Sequence, residues 1–279
     1  MTPGLGSFAF RWSMGFRDRV PPAPLCAMDL VEIAAQEGFQ VVQIADNHPL
    51  HLLDAEQLTQ LRKAANANQI TLELGASACD RETVQRYLAI AARIEAPILR
   101  VAVDKADAQK DLDGLATEFA SLLPRARDVG CRIAIENHFD FPSQRIAALV
   151  DLVADDHLGV CLDVANSICA GEWPMETVQI LAEKTINLHL KDYVIAPDPY
   201  GVGFRIHGAP LGTGRSDCAA ILDALQRRPM SVIYEHWLPW PGNFNDARSE
   251  EEAWTRQAAK TLGGLLAPVG GGGQADAAA

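Results

Sequence analysis

The sequence predicts an α/β fold, a (β/α)8 TIM barrel of eight parallel strands ringed by helices. Three observations predict it. Eight short apolar runs, rich in β-branched or aromatic residues, alternate with amphipathic stretches of helical spacing. The repeats occupy about 265 residues, close to the ~250 typical of such a barrel. The first strand-to-helix turn, "FRWSMGFRDRV", contains no G-x-G-x-x-G, which argues against an open dinucleotide-binding sheet.

In chain order the strands are expected at "LGSFAFRW", "QVVQIAD", "ITLELGA", "PILRVAVD", "CRIAIENH", "LGVCLDVAN", "TINLHLKD" and "MSVIYEHW". Each is short enough to be a buried parallel strand. The first helix, "DLVEIAAQEGF", stops at Gly38, a residue suited to a left-handed C′ position. The next two begin at Asp54 and Asp80, whose carboxylates suit an N-cap. "LDGLATEFASLLPRARDVG", "SQRIAALVDLVA", "METVQILAEK", "SDCAAILDALQRR" and "EEEAWTRQAAKTLGGLL" complete the ring. The stretch after the seventh strand, "DYVIAPDPYGVGFRIHGAPLGTGR", reads as a long loop, and such loops are usually functional. No composition shift divides the chain, so residues 1–267 form one barrel domain, and the Gly/Ala-rich residues 268–279 are expected to be disordered.

Composition narrows the function. A net charge of -12 repels phosphate backbones, so nucleic acid is not an expected partner. The six cysteines have no CxxC spacing and read as reduced thiols of a cytoplasmic protein. Neither a signal peptide nor a run long enough to span a membrane is apparent.

Active sites of such barrels lie at the C-terminal ends of the strands. The costly polar residues there are Glu73 on strand three, Arg100 on four, Glu136 and His138 on five, Asp163 and Asn166 on six, His189 and Lys191 on seven, and Glu235 on eight. A lone Glu73 or Arg100 is most often a cap or surface ion pair, and His138 or His236 an ordinary hydrogen-bonded histidine. Four consecutive strands carrying acid, acid, imidazole and acid at one level are harder to explain so. Strand alternation puts Glu136 with His138, and His189 with Lys191, on shared faces. Carboxylates converging inside a barrel repel one another and lose hydration, and a divalent cation removes that penalty. Glu136, Asp163, His189 and Glu235 are therefore the expected metal ligands. Three carboxylates, one imidazole and no thiolate suit Mn²⁺, Mg²⁺ or Co²⁺ better than structural Zn²⁺. Lys191 either meets the electron-rich end of a substrate or snorkels to solvent. "GAPLGTG" either presents backbone amides to an anion or is a turn. Phe10, Trp12, Phe16, Trp237 and Trp240, near strand ends one and eight, suit a sugar face, the core or the contacts of a homo-oligomer.

The motifs "IENH", "CLDVAN", "NLHLKD", "GAPLGTGRSD" and "YEHW", in that order, resemble the sugar phosphate isomerase/epimerase superfamily, the xylose-isomerase-like TIM barrels. The resemblance runs from the first strand to about Leu266 and implies one divalent metal on the same four residues. In the epimerases it further implies proton exchange by Glu136 and Glu235. Two departures set this chain apart from ketose 3-epimerases. Asn166 stands where they commonly carry a histidine, and Lys191, then Arg205 and His207, where they carry an arginine. The segments "VVQIADNHPLH", "LRVAVD", "CLDVANS", "NLHLKDY" and "GF…GAPLGTG" resemble the superfamily's 3-oxo-isoapionate decarboxylases. Related barrels cleave C-glycosides, some with a small partner subunit. The endonuclease branch uses three zinc ions and a positive face, which seven histidines and an acidic balance do not match.

The expected substrate is thus a small keto sugar or keto sugar acid whose carbonyl and neighbouring hydroxyl meet the metal. In an isomerase or epimerase a C–H proton leaves, and Glu136 and Glu235 would act as base and acid. In a decarboxylase CO2 leaves, Lys191, Arg205 or Arg100 would orient the carboxylate, and His138 or His207 would return a proton. A non-catalytic sugar-binding scaffold would be expected to have lost a ligand, and all four are present.

Overall fold

The structure is a computed structural model that describes residues 1–103 and 105–267. Eight parallel strands close into a barrel. They are β1 (Thr2–Gly6), β2 (Val41–Ile44), β3 (Thr71–Ala76), β4 (Ile98–Ala102), β5 (Arg132–Glu136), β6 (Leu158–Asp163), β7 (Thr185–Leu190) and, after an inserted ribbon of β8 (Asp192–Pro197) and β9 (Phe204–Ala209), β10 (Ser231–Tyr234). Each strand pairs with its neighbour in sequence around the ring, and β10 pairs with β1 to close it. Parallel neighbours need a crossover, and a helix supplies it in nearly every repeat. The longer helices are α2 (Ala27–Glu37), α3 (Ala55–Ala67), α4 (Arg81–Ile94), α5 (Leu112–Asp128), α6 (Ser143–Val153), α7 (Pro174–Leu181), α8 (Cys218–Ala224) and α9 (Phe244–Leu266), with a single turn, α1 (Arg11–Met14), preceding them.

Local chemistry sets the helix ends as expected. Gly38 closes α2 at φ 83°, a left-handed conformation that costs glycine little. Asp54 accepts hydrogen bonds from the amides of Glu56 and Gln57, and Asp80 accepts one from Thr83. One continuous apolar core joins the outer faces of the strands to the helices.

Two expectations are corrected. "LGSFAFRW" is not the first strand. β1 starts earlier, at Thr2, and from Ser7 the chain turns through a 3-10 segment into α1. The Ser7 hydroxyl accepts from the Ala45 amide, which ends strand geometry there and turns the aromatic run across the barrel mouth. The long segment after β7 is not an irregular loop. β8 and β9 pair antiparallel from Asp192↔Ala209 to Pro197↔Phe204. The tail expected to be disordered, 268–279, lies outside the described residues.

Candidate active site

Glu136 ends β5, Asp163 ends β6, His189 lies near the end of β7, and Glu235 follows β10. All four are buried, and their side chains converge. His189 Nδ1 lies 3.3 Å from Glu136 Oε1, 3.5 Å from Glu235 Oε2 and 3.9 Å from Asp163 Oδ2. Ligand atoms of Glu136, Asp163 and His189 all fall within 4.8 Å of one another.

Surrounding residues aim these groups. Gln43 on β2 donates from Nε2 to Glu73 and to the Asn187 Oδ1, which turns its Oε1 toward His189. His189 Nε2 meets that oxygen at 2.7 Å, so it is Nε2 that carries the proton and donates. Nδ1 then faces three carboxylates with no hydrogen-bond partner, Glu235 Oε1 has none either, and a proton or a metal ion at Nδ1 would answer them. An acceptor buried among acceptors calls for a cation. Asp163 Oδ1 accepts from the Ala165 and Asn166 amides, which leaves Oδ2 turned to the cluster. Asn137 accepts from the Asp163 amide and donates to its carbonyl, locking β5 to β6. At β1, a Cβ on Gly6 would fall 2.7 Å from Glu235 Cγ, so glycine makes the room Glu235 needs. Oxygen ligands and one imidazole oriented by an amide fit a divalent metal, with Glu136, Asp163, His189 and Glu235 in reach to hold it.

Two buried cations stand beside the acids. Lys191 Nζ is 2.6 Å from Asp163 Oδ2 and 3.2 Å from Glu235 Oε2, and sits 5.1 Å from the centre of the Trp237 ring. Arg100 lies 3.6 Å from both Glu136 and Asp46. Burial by itself raises the pKa of Glu136, but Arg100 and then His189 outweigh it and hold the carboxyl below its usual range. Glu235 is likewise lowered, burial being outweighed by His189 and Lys191. Burial opposes a charge on His189, and Cys161, Glu235 and Glu136 overcome it, so the ring sits well above its usual pKa. The cluster attracts positive charge of any kind.

Above the cluster opens a cavity of about 720 Å³. Of the residues singled out in the sequence, Arg100, Glu136, His138, Asn166, Lys191, His207 and Glu235 line it, and Asn166 donates to Glu136 at 3.3 Å. Trp12, Phe16 and Trp237 form part of its wall, whereas Phe10 is buried in the core.

Two expectations of substrate contact are corrected by position. Glu73 lies inside the barrel away from the cavity lining, where it accepts from Ser231 at 2.6 Å, Asn187 at 2.9 Å and Gln43 at 3.0 Å. Burial raises its pKa against those hydrogen bonds, and its place is in the polar layer supporting His189. Arg205 is 54% exposed on the ribbon and ion-pairs with Asp198, away from the cluster. Of the two alternatives for "GAPLGTG", anion site or turn, its hydrogen bonds fit the turn. Asp192 accepts from the amides of Gly212, Gly214 and Ser216 at 3.0, 2.7 and 2.9 Å. His236 is buried with its Nδ1 accepting from the Leu238 amide, and desolvation pushes its pKa down to about 3.

Sequence reasoning missed Gln43, Asn187, Asn137 and Arg11. The signal for Gln43 and Asn187 was a polar amide at the centre of an otherwise apolar strand, which must find a partner inside the barrel.

Acidic groups gathered at the C-terminal mouth of a closed parallel barrel define a class. Residues 31–263 match the family described as Xylose isomerase-like TIM barrel, and the chain belongs to that family. Among its relatives, the 3-oxo-isoapionate decarboxylase of Pectobacterium atrosepticum is 31% identical over 264 residues, which cover 94% of this chain and 95% of that one. Among solved structures, a D-psicose 3-epimerase determined in the presence of D-fructose superposes with a TM-score of 0.71 at 18% identity, covering 95% of this chain and 99% of its own. A Xylose isomerase-like TIM barrel protein from Mycobacterium smegmatis in complex with magnesium gives 0.66 at 17% identity, covering 95% and 98%. Both structures share the fold.

Proposed function

We propose that this protein is a divalent-metal-dependent lyase that decarboxylates a β-keto sugar acid. The observation that carries the proposal is the charge of the cavity. Its lining sets Arg11, Arg17, Arg100 and Lys191 against Asp46, Glu136 and Glu235. Counting Asp163 behind them, acids and bases balance, and a divalent ion then makes the site positive by two in a chain of net charge -12. A positive pocket in an acidic protein selects an anion, and a neutral ketose gains nothing from it. The decarboxylase relative, aligned over nearly the whole chain, supports the same choice.

A bound Mn²⁺, Mg²⁺ or Co²⁺ would supply Lewis acidity at the substrate carbonyl, stabilising developing negative charge by several kcal/mol. Lys191, paired to two ligand carboxylates and open to the cavity, adds a fixed positive charge where that oxygen develops its charge. The bond from the carboxylate carbon to the α-carbon breaks, CO2 leaves, and the electron pair enters the enolate. His138, on the cavity wall, would return a proton to the α-carbon, and Asn166, also on the wall, would hold a hydroxyl. Trp12, Phe16 and Trp237 narrow the access of water.

One observation favours an isomerase or epimerase at the same site. Glu136 and Glu235 approach His189 within 3.3 and 3.5 Å and could flank a substrate carbon. Each, however, is held ionised by a buried cation, whereas a proton carrier is most effective with a pKa near the working pH.

Elemental analysis of the purified protein beside His189→Ala and Glu235→Gln tests the metal. About one ion per chain, lost or weakened in the variants, is expected. CO2 release measured against solvent-deuterium exchange on 3-keto sugar acids separates the two chemistries. Exchange without CO2 would replace the lyase by the isomerase, and no metal under any supplement would remove both.

A further inference from the structure

The cavity holds one partly buried cation that has no ion-pair partner among the described residues, although the charges of Glu235 and Glu251 reach it from a distance. Arg11 opens α1, directly after the 3-10 turn that follows β1. Its guanidinium carbon lies 5.4 Å from the centre of the Phe8 ring and 5.2 Å from that of Phe16, so two aromatic faces hold it. It lines the same cavity as the acid cluster. Its Nε is buried without a hydrogen-bond partner, and no described carboxylate lies within ion-pair distance of the guanidinium. Arg100 and Lys191 differ in kind, since each already meets two carboxylates.

The backbone beneath Arg11 is fixed. Glu251 of α9 accepts from the Trp12 amide at 2.7 Å and the Ser13 amide at 3.1 Å, and the Trp12 ring donates to the Leu238 carbonyl at 2.9 Å. A partly buried guanidinium whose Nε has no hydrogen-bond partner is stabilised by an anion that supplies one. Planar donors in a preset fork match a carboxylate in two parallel hydrogen bonds.

We propose that Arg11 is the receptor for the substrate's carboxylate, and that the pocket therefore takes a sugar acid with its acid end at Arg11 and its keto end at the acid–imidazole cluster. The inference rests on the reading of the cavity as an anion site and assigns the group that recognises the anion. Lys191 is left to the keto oxygen, and the carboxylate lies among Phe8 and Phe16 with little water to hold it as an ion.

The test is calorimetric binding of a pentonate and of the matching pentitol to the metal-loaded protein, its Arg11→Met variant and its Arg11→Lys variant. One charge-assisted pair is worth roughly 1.5–3 kcal/mol, so the wild type should prefer the pentonate by about 10- to 100-fold. Arg11→Met should erase that preference and leave pentitol binding unchanged, a control that the pocket is intact. Arg11→Lys, a point charge without the fork, should restore part of it. A wild type with no preference, or an Arg11→Met variant that keeps it, overturns the proposal. Turnover separates this from the decarboxylase reading. If 3-keto sugar acids release CO2 and Arg11→Met leaves KM unchanged, Arg11 is not the receptor and the lyase stands. If no CO2 is released while pentonate binding depends on Arg11, the receptor stands and the lyase falls.

Discussion

His189 Nε2 lies 2.7 Å from Gln43 Oε1, and that contact decides which ring nitrogen faces the carboxylates. Gln43 cannot turn over to offer its amide nitrogen instead, because that nitrogen is engaged by Glu73 and Asn187. Replacing Gln43 by Leu frees the ring and its tautomer while leaving Glu136, Asp163, His189 and Glu235 in place. Loss of such an orienting partner typically weakens metal binding by about 10- to 100-fold. Titration calorimetry with Mn²⁺ checks this, and an unchanged affinity would mean that packing alone orients His189.

Gly6 has an ordinary extended backbone, φ -87° and ψ 145°, so it is glycine for space alone. A methyl there would lie 2.7 Å from Glu235 Cγ and 2.9 Å from its Oε1. Gly6→Ala should cost about 1–3 kcal/mol through overpacking and displace Glu235 from the cluster. Thermal melts with and without Mn²⁺ should show a lower midpoint and a smaller gain on metal addition. A variant that melts like the wild type in both states would contradict this account of Glu235.

Lys191 serves two acids at once, Asp163 and Glu235. Lys191→Met leaves both short of charge, and breaking a buried pair of this kind costs roughly 3–5 kcal/mol. A divalent ion bound in the cluster would meet the same oxygens, so most of that loss should return on adding metal, and the melting temperature should rise more on addition than it does for wild type. A deficit that persists at saturating metal would place the role of Lys191 in packing.

Burial pushes Glu251 up to about 7 from an ordinary 4.5, against hydrogen bonds from Ser13 and Trp12. The folded chain then keeps a proton that the unfolded chain releases. The resulting stabilisation is complete below about pH 4.5 and is lost as the pH rises through about 7. Glu251→Gln cannot titrate, so its melting temperature should gain on the wild type between pH 5 and pH 8. A constant difference across that range would show that Glu251 does not titrate there. Glu251→Ala, which strands two buried amide donors, should cost about 1–3 kcal/mol for each.

Much of the barrel is legible in the sequence because parallel strands buried on both faces are continuous apolar runs, and the caps at Asp54, Asp80 and Gly38 mark the helices between them. Glu136, Asp163, His189 and Glu235 stand out as charged residues where apolar ones are the rule. What periodicity conceals is the end of β1. Phe8, Phe10 and Trp12 alternate as a strand would, yet Ser7 turns the chain there, and Arg11 is invisible as a site residue while it reads as part of a strand. The ribbon is hidden for the opposite reason. Pro197, Pro199, Gly201 and Gly203 are turn signals dense enough to mask the alternating residues of β8 and β9 on either side. Glu73 and Arg205 show the limit of reasoning by residue type. Both are charged and near candidate positions, and only three-dimensional position separates a support beneath the site and a surface ion pair from a substrate contact.

The polar layer inside the barrel bears on how this chain can change over generations. Gln43, Glu73, Asn187 and Ser231 share their hydrogen bonds, and Asn187 also accepts from the Cys161 thiol. Substituting any one strands a buried partner on another strand, so single steps are penalised where a matched pair of changes need not be. Residues on the cavity wall such as Phe16 and Ile206 carry no such obligation. Drift toward new substrates is therefore open at the mouth, one residue at a time, while the layer beneath should change only as a linked set, an epistatic block that leaves its trace as covariation among these four positions in related chains.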